Sequence, residues 1–555
     1  MKNKILKIGI LIREFQTLSN WELRIFDEIL KNNNYEISLL IKDGRKGKNN
    51  PNNLYSRTKR LLKSKKIISS LIFNLQCKIE KYLFKPVQSV DRESIINQLK
   101  CVKTIELSPT RKGSLDIFSS KDSQKIKEYE LDIILRHEFN IIRGDILKSS
   151  KHGIWSFHHA DNSVNRGGPP CFWEIVLDQT NVGVTLQQLT PELDGGLIID
   201  KSFHNIHWSF EKTKNYVFEA SVSLIVKNLK LFSKEKYYPK KSTVYYNTIY
   251  KSPRIKYTLI YLRKFYFTLF TKLFQKINFY LFGIRYNCWT IFIGKGQFIH
   301  SSLFRLSPVK MPKNEFWADP FIFEYNDSTY VFFENYNYKK NLGKISCGKI
   351  DGNQIIDVCD VLDLGYHMSY PHVFKSENDI FLMPETSSKK RLDIFKCIEF
   401  PSKWELYSSA FEGQNLADAT LFEDDNNQKW LFLNKTNSPC ENLNDELYIY
   451  KIDSLKLNKI EPHQKNPVII NSKIARNAGS IFKYDNKFFR PSQSNEKGIY
   501  GRALNINRID KLTIDDYIET TITTSYPNFK NGLISMHHLD QKKDFFVIDA
   551  AFKKA

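Results

Sequence analysis

WSFHHADNSVNRGGPPCFWEIVLDQTNVGVTLQQLTPELDGGLIID, residues Trp155–Asp200, is the stretch on which the reading of this fold turns. It opens on a polar, histidine-rich loop with Ser156, His158, His159 and Asp161. An Arg166-Gly167-Gly168-Pro169-Pro170 turn follows, then the β-rich run Val182–Leu189, then Leu193-Asp194-Gly195-Gly196. His158 and Asp194 are 36 residues apart. Both sit where a strand meets a loop, the place where an open α/β sheet keeps its ligand crevice. A lone His or Asp in a loop is more often a solvated or capping residue than a catalyst. Here the argument for chemistry rests on the ordered pattern, not on either residue.

Upstream, the apolar run ILKIGILI at 5–12 predicts a strand buried on both faces. Trp21–Leu30 has helical spacing and Tyr35–Ile41 predicts a second strand, so the chain opens β-α-β, as a doubly wound sheet does. Residues 42–66 are rich in Lys, Arg and Asn and read as a loop or insertion; Lys66–Tyr82 returns to helical periodicity. Val102–Leu107, Asp132–Leu135 and Gly153–Phe157 predict further short strands. No GxGxxG follows the first strand, so the dinucleotide fingerprint is absent.

The Trp155–Asp200 stretch resembles the catalytic segment of the formyltransferase family, which includes methionyl-tRNA and sugar-nucleotide N-formyltransferases. The family pattern runs Asn-x-His, an Arg-Gly turn, a Gly-Val-Thr strand and Leu-Asp-x-Gly. His158, Arg166-Gly167, Gly183-Val184-Thr185 and Asp194 match it in order. Ser156 stands where the family has Asn, whose amide helps hold an oxyanion; loss of one such donor costs ~10²–10³ in rate. The resemblance implies N10-formyltetrahydrofolate as cofactor. It implies His158 as general acid/base, Asp194 as its electrostatic support and Ser156 as a weak substitute for the Asn. Arg166, His159 and Asp161 are candidate substrate contacts.

The chain has 555 residues, which predicts several domains. Three are expected: 1–204, an α/β domain; 205–289, a basic, aromatic helical linker; and 290–555, all-β. Formal net charge is +23, which suits a phosphate-bearing or otherwise acidic partner, although abundant Lys and Asn also fit an AT-rich genome. The basic residues form no stripe interleaved with stacking aromatics, so nucleic acid is not an expected partner. The 8 cysteines show no CxxC or zinc spacing, so no metal site is expected. The N-terminus lacks a signal-peptide core, and no uncharged apolar run reaches the ~18–20 residues of a membrane span. Residues 255–283 are helical in spacing, aromatic and basic, with no acidic residue. Two readings stay open for them: a helix packed between domains, or a helix lying on an anionic membrane surface. The expected location is cytoplasmic, peripheral at the inner membrane face in the second case.

From about Thr290 the texture changes. Segments starting at Ala318, Ser369, Ala417 and Ala478 repeat a plan at separations of 51, 48 and 61 positions: a small or Asp/Pro-containing start, an apolar strand, a turn, then an aromatic strand. A weaker fifth unit ends near His537-His538. Repeats near 50 residues with about four strands each predict a five-bladed β-propeller. Trp317-Ala318-Asp319-Pro320, Ser369-Tyr370-Pro371-His372, Pro384-Glu385-Thr386, Ala417-Asp418-Ala419, Asn477-Ala478-Gly479 and Arg490-Pro491-Ser492-Gln493 resemble the five-bladed propeller at the N-terminus of glucosamine inositolphosphorylceramide transferases. That domain is itself related to glycoside-hydrolase propellers. Asp319, His372, Glu385, Asp418 and Arg476, with Glu334, are expected around one polar funnel, where paired carboxylates suit glycosidic chemistry. The alternative is structural: the same acids satisfying backbone amides.

These readings lead to a transferase of bacterial surface-polysaccharide assembly. It would formylate an amino sugar carried on a nucleotide or lipid-linked phosphate, with the propeller binding carbohydrate. Glycosyl or phosphoglycosyl transfer on the same scaffold, and a non-catalytic carbohydrate-binding scaffold, remain as alternatives.

Overall fold

The computed structural model describes residues 5–45, 67–192, 195–234, 239–240 and 248–554. It divides into two compact units, Met1–Thr268 with Ser438–Cys440, and Leu269–Asn437 with Glu441–Ala555.

The first unit is built on a seven-stranded sheet. Its strands are β1 (Leu6–Ile12), β2 (Tyr35–Asp43), β3 (Thr104–Leu107), β4 (Ile133–Arg136), β5 (Ile154–His158), β6 (Val182–Gln188) and β7 (Leu197–His204). Their order is β7-β6-β5-β4-β1-β2-β3. Strands β1 to β5 pair in parallel, and β6 and β7 are added antiparallel at one edge. From Ile8 to Ile12 β1 is buried on both faces, as its apolar run requires; Lys7 is its one exposed position. The order reverses at β1 and β4, so the crevice rule points to the carboxyl ends of these strands and of β5.

Seven helices accompany the sheet among the described residues: α1 (Asn20–Leu30), α2 (Ile67–Leu83), α3 (Arg92–Lys100), α4 (Ser120–Lys127), α5 (Phe172–Val176), α6 (Phe210–Ser233) and α7 (Ile255–Phe282). A capping box starts α1: the Ser19 backbone N–H donates to the Glu22 carboxylate at 2.8 Å. α1 is tied to α6 by a buried Arg24–Glu219 ion pair at 2.9 Å. α6 and the first turns of α7 therefore belong to the first unit. The segment expected as a separate linker, 205–289, is divided between the units instead. The physical reason is burial: Val217, Leu224 and Ile225 of α6 and Tyr261 and Phe265 of α7 are core residues, not spacer. Of the loop expected at 42–66, residues 42 and 43 end β2 and 46–66 lie outside the described residues.

The second unit contains five antiparallel sheets in chain order. β8 (Tyr286–Lys295) pairs with the last strand, β26 (Phe545–Lys554), which also pairs with β25 (Leu533–Lys542). Between these come the four-stranded sheets β9 (Glu315–Tyr325) to β12 (Gln354–Leu362) and β13 (Ser369–Ser376) to β16 (Lys403–Ala410). β17 (Leu416–Glu423), β18 (Lys429–Lys435), β19 (Glu446–Ile452) and β20 (Ile460–Pro462) form the next, with Ile469–Ile470 added on β19. β21 (Phe482–Tyr484) to β24 (Tyr517–Ser525) form the last. No sheet closes on itself among the described residues.

Candidate functional site

In the first unit, His158 ends β5, with its ring Nε2 3.1 Å from the Asn165 carbonyl oxygen. Two residues earlier on the same strand face, Ser156 is buried and its hydroxyl accepts from Arg136 Nη1 at 2.9 Å. Arg136 also donates to the Phe139 carbonyl, and burial pulls its guanidinium down to about 10. The residue expected as a weak oxyanion donor is thus coupled to a half-buried guanidinium. Asp194 lies outside the described residues. Arg166 is half-buried, and its backbone pairs in parallel with Ile249. Gly167 completes that turn at φ 97°, with the Tyr250 carbonyl oxygen inside the space a Cβ would take, so no other residue fits.

Two expected contacts sit elsewhere. The His159 ring stacks on Phe218 with centroids 3.7 Å apart and meets Trp21 edge-on at 5.3 Å. Burial pushes it down to about 3, so it is a neutral member of a half-buried aromatic cluster. Asp161 is engaged by Lys201 at 2.7 Å and by the Ser163 N–H at 3.0 Å. Burial would raise its carboxyl; those hydrogen bonds prevail and hold it low. It organises the loop, which passes so close to β6 that a Cβ on Gly183 would stand 2.8 Å from the Asp161 nitrogen.

Gln187 was not foreseen. It lies directly opposite Ser156 in the β5–β6 ladder and so shares its face. It is buried, and its Oε1 has no hydrogen-bond partner among the described residues. A Cβ on Gly196 would come within 3.0 Å of that Oε1, which places the amide beside the turn that follows Asp194. Only the pairing register reveals it; a Gln in a β-rich run carries no signal of its own.

In the second unit, three strands use one device. Asp319 in β9, Tyr370 in β13 and Asp418 in β17 have φ of 50°, 47° and 47°. Each lies at a break in the pairing register with the next strand. A left-handed non-glycine residue costs of order 1–3 kcal/mol and persists where its surroundings hold it. Here the restraints are visible. The Asp319 N–H donates to Asp549 at 2.9 Å, the Tyr370 N–H to Asp319 at 3.2 Å, and the Asp418 N–H to Glu385 at 3.2 Å.

The carboxylates fall into two groups. Arg476 grips Asp418 at two points, Nε to Oδ2 at 2.5 Å and Nη2 to Oδ1 at 3.2 Å, and reaches Glu385 at 3.4 Å. Gln493 donates to Asp418 at 3.3 Å. In the second group, the donor atoms of Asp319, His537 and Asp549 lie within 4.8 Å of one another. Asp549 accepts from the His537 ring at 2.7 Å and from the backbone N–H groups of His537, His538 and Asp319. Its lone pairs are committed, so it anchors His537 and is poorly suited to ligate a metal. The anchored ring stacks on Trp289 at 3.9 Å and turns Nε2 toward Asp319, 3.7 Å away.

Burial pushes Asp319 up to about 7; His537 opposes the shift, and Asp549 and Asp418 add repulsion. Burial raises Asp418 to about 7 as well, against Arg476, and raises Glu334 strongly. Burial would lower His537, but Asp549 outweighs it and raises the ring. Carboxyl groups whose hold on a proton is strengthened by burial stand beside Arg476 and His537, a composition suited to acid/base work on a neutral, polyhydroxylated ligand. Of the residues expected around one funnel, Glu385, Asp418 and Arg476 are joined by ion pairs, while Asp319 stands with His537 and Asp549. His372 is buried edge-on to Phe321 and pushed by burial to about 3, which makes it a neutral packing residue. His537 and Asp549 went unread because the fifth repeat is the weakest in sequence.

Residues 304–544 match a family model described as glucosamine inositolphosphorylceramide transferase 1, N-terminal. A protein of that name from Oryza sativa subsp. japonica is 32% identical over 241 residues, covering 42% of this chain and 32% of that protein. A methionyl-tRNA formyltransferase from Prochlorococcus marinus is 28% identical over 124 residues, covering 22% of this chain and 37% of that protein. The chain thus spans about a third of the length of these curated relatives. The structure of an N-formyltransferase from Helicobacter canadensis, solved with folinic acid and dTDP-3-aminofucose, aligns at 14% identity and a TM-score of 0.29, over 62% of this chain and all of that one. The first unit is an open α/β fold in a chain similar over 124 residues to a methionyl-tRNA formyltransferase; residues 304–544, in the second, are similar to the N-terminal region of glucosamine inositolphosphorylceramide transferases.

Proposed function

We propose that this chain is a sugar-modifying transferase of bacterial surface-polysaccharide assembly. Its first unit moves a formyl group from N10-formyltetrahydrofolate to the amine of a nucleotide- or lipid-linked amino sugar. The observation that carries this reading is His158 at the carboxyl end of β5, with Ser156, Arg136 and Gln187 clustered on or beside the same pair of strands. These residues fit a formyl group. The Ser156 hydroxyl backed by the half-buried Arg136 guanidinium, and the NH2 of the Gln187 amide opposite, are donors of the kind an oxyanion needs where the family's Asn is absent. The folate, when bound, supplies the formyl carbon. The Asn165 carbonyl favours a proton on His158 Nε2 and leaves Nδ1 as the basic nitrogen. Asp194 is assigned the support of that ring on resemblance alone. The second unit is read as a five-bladed propeller that binds carbohydrate. Five sheets in order, and the pairing of its first strand with its last, support that reading.

The test incubates the purified chain with N10-formyltetrahydrofolate and a panel of nucleotide-linked amino sugars, reading the added formyl group by mass spectrometry. Transfer is expected, lost in His158→Ala and lowered ~10²-fold in kcat in Gln187→Leu. Absence of transfer across the panel, with folate binding also absent by calorimetry, would rule the reading out. Glycosyl transfer at the second unit is the second reading, favoured by the proton-holding Asp319 near the Arg476–Asp418 pair. It predicts sugar transfer or hydrolysis that Asp319→Asn abolishes and His158→Ala leaves intact.

A further inference from the structure

α2 is built inside out. Its buried side carries Ser69, Gln76 and Glu80 beside a single large apolar residue, Phe73. Its open side carries Ile68, Leu71, Leu75, Ile79 and Tyr82, which are 66%, 63%, 61%, 38% and 77% exposed. A helix on a water-soluble surface shows the opposite polarity. The buried polar groups are not misplaced, because α7 and the start of α6 satisfy them. The Ser69 hydroxyl donates to the Pro253 carbonyl at 2.8 Å, and the Tyr266 hydroxyl donates to Gln76 at 3.1 Å. Glu80 accepts from Tyr261, from the Ser209 hydroxyl and from the Glu211 N–H. The polar face thus fixes α2 in place and leaves its apolar stripe outward.

The part of α7 that packs on α2 adds to this surface. Leu259 and Phe267 are exposed on it, alongside Lys256 and Arg263. Lys78, Lys81 and Lys85 flank the α2 stripe. Glu80, already buried, is the only acidic residue of α2, and Ile255–Phe282 contains none. An exposed apolar stripe of this kind marks an interaction surface. Its charge selects the partner: aliphatic and aromatic side chains inserted between acyl chains, with Lys and Arg stems reaching up to phosphates. Two copies of this chain set face to face would oppose lysine to lysine, with no exposed acid on either helix to neutralise them. Anionic headgroups provide that neutralisation.

We propose that α2 and the turns of α7 packed on it form a docking face for an anionic lipid bilayer, holding the chain peripherally at a membrane surface. This goes beyond the transferase reading and stands or falls apart from it. The full chain is sedimented with vesicles of phosphatidylcholine alone and with vesicles containing phosphatidylglycerol. Binding is expected to the anionic vesicles and to weaken as salt is raised. Leu71→Gln with Leu75→Gln should lower the partition coefficient at least tenfold, and Lys78→Ala, Lys81→Ala and Lys85→Ala together should lower it on anionic vesicles only. These side chains are exposed, so an unchanged unfolding midpoint checks that the variants remain folded. Failure to bind anionic vesicles would overturn the proposal. So would binding that ignores the leucine substitutions, or a dimer in light scattering that the same substitutions split while lipid binding persists.

Discussion

At the scale of single residues, Asp319 is the group whose ionisation the surroundings change most usefully. Buried among Asp549 and Asp418, it binds its proton more tightly in the folded than in the unfolded chain. A carboxyl raised in this way favours folding fully below its ordinary value near ~4, and that contribution is lost as pH rises through about 7. The unfolding midpoint of the second unit should therefore fall across that window in a thermal melt. Asp319→Asn should flatten the fall and raise stability at pH 8 by about 1 kcal/mol or more, since a tenfold change in proton affinity is worth about 1.4 kcal/mol. The same substitution should abolish carbohydrate chemistry at this cluster, the usual exchange between stability and function. Arg476 makes the complementary case. It is buried against Asp418 and Glu385, so Arg476→Met leaves buried carboxylates without their cation. A loss of about 3–5 kcal/mol in urea unfolding is expected, partly restored by adding Asp418→Asn.

At the scale of elements, the loop after β5 and the strand β6 touch with no space for a side chain at Gly183. Its absent Cβ would meet the Asp161 backbone within 2.8 Å. Gly183→Ala should leave the sheet folded and push the Asp161 loop away from β6, displacing Asn165 and with it the His158 ring. A drop of tenfold or more in kcat, with the far-UV spectrum unchanged, is the expected result; unchanged kinetics would show that the loop does not position His158. The same scale shows what can be read in advance. β1 is legible because Ile8–Ile12 is buried on both faces and carries no polar side chain. α1 is legible because one stripe faces the sheet. The extent of the first unit is not, because α6 buries Glu219 and Asn228 among its core contacts and reads as a polar connector. His158 is read from an ordered pattern whose other member, Asp194, lies outside the described residues. Gln187 depends on which residue faces which across two strands, and that is a property of register rather than of residue type.

At the scale of the whole molecule, the repeats from Ala318 onward are readable because each sheet is a local meander of consecutive strands. The fifth sheet is not, since it draws β8 from the beginning of the unit and β25 and β26 from its end. That difference predicts a sharp dependence on β26, the middle strand of its sheet. Removing 545–555 should abolish the cooperative calorimetric transition of the second unit and leave that of the first in place. Loss of neither transition would show that β8 and β25 are held by other means.

The pairing of β8 with β26 also governs how the chain comes into being. A ribosome delivers β8, with Ile291, Phe292 and Ile293, long before β26 has been made. Until then this apolar strand lacks its ladder partner and pairs with the backbone of Pro308 and Val309 only, and contacts so distant along the chain as β8 to β26 close slowly. Four sheets can assemble as they emerge; the fifth must wait. The yield of native protein in a cell therefore depends on what shelters one ten-residue strand during translation.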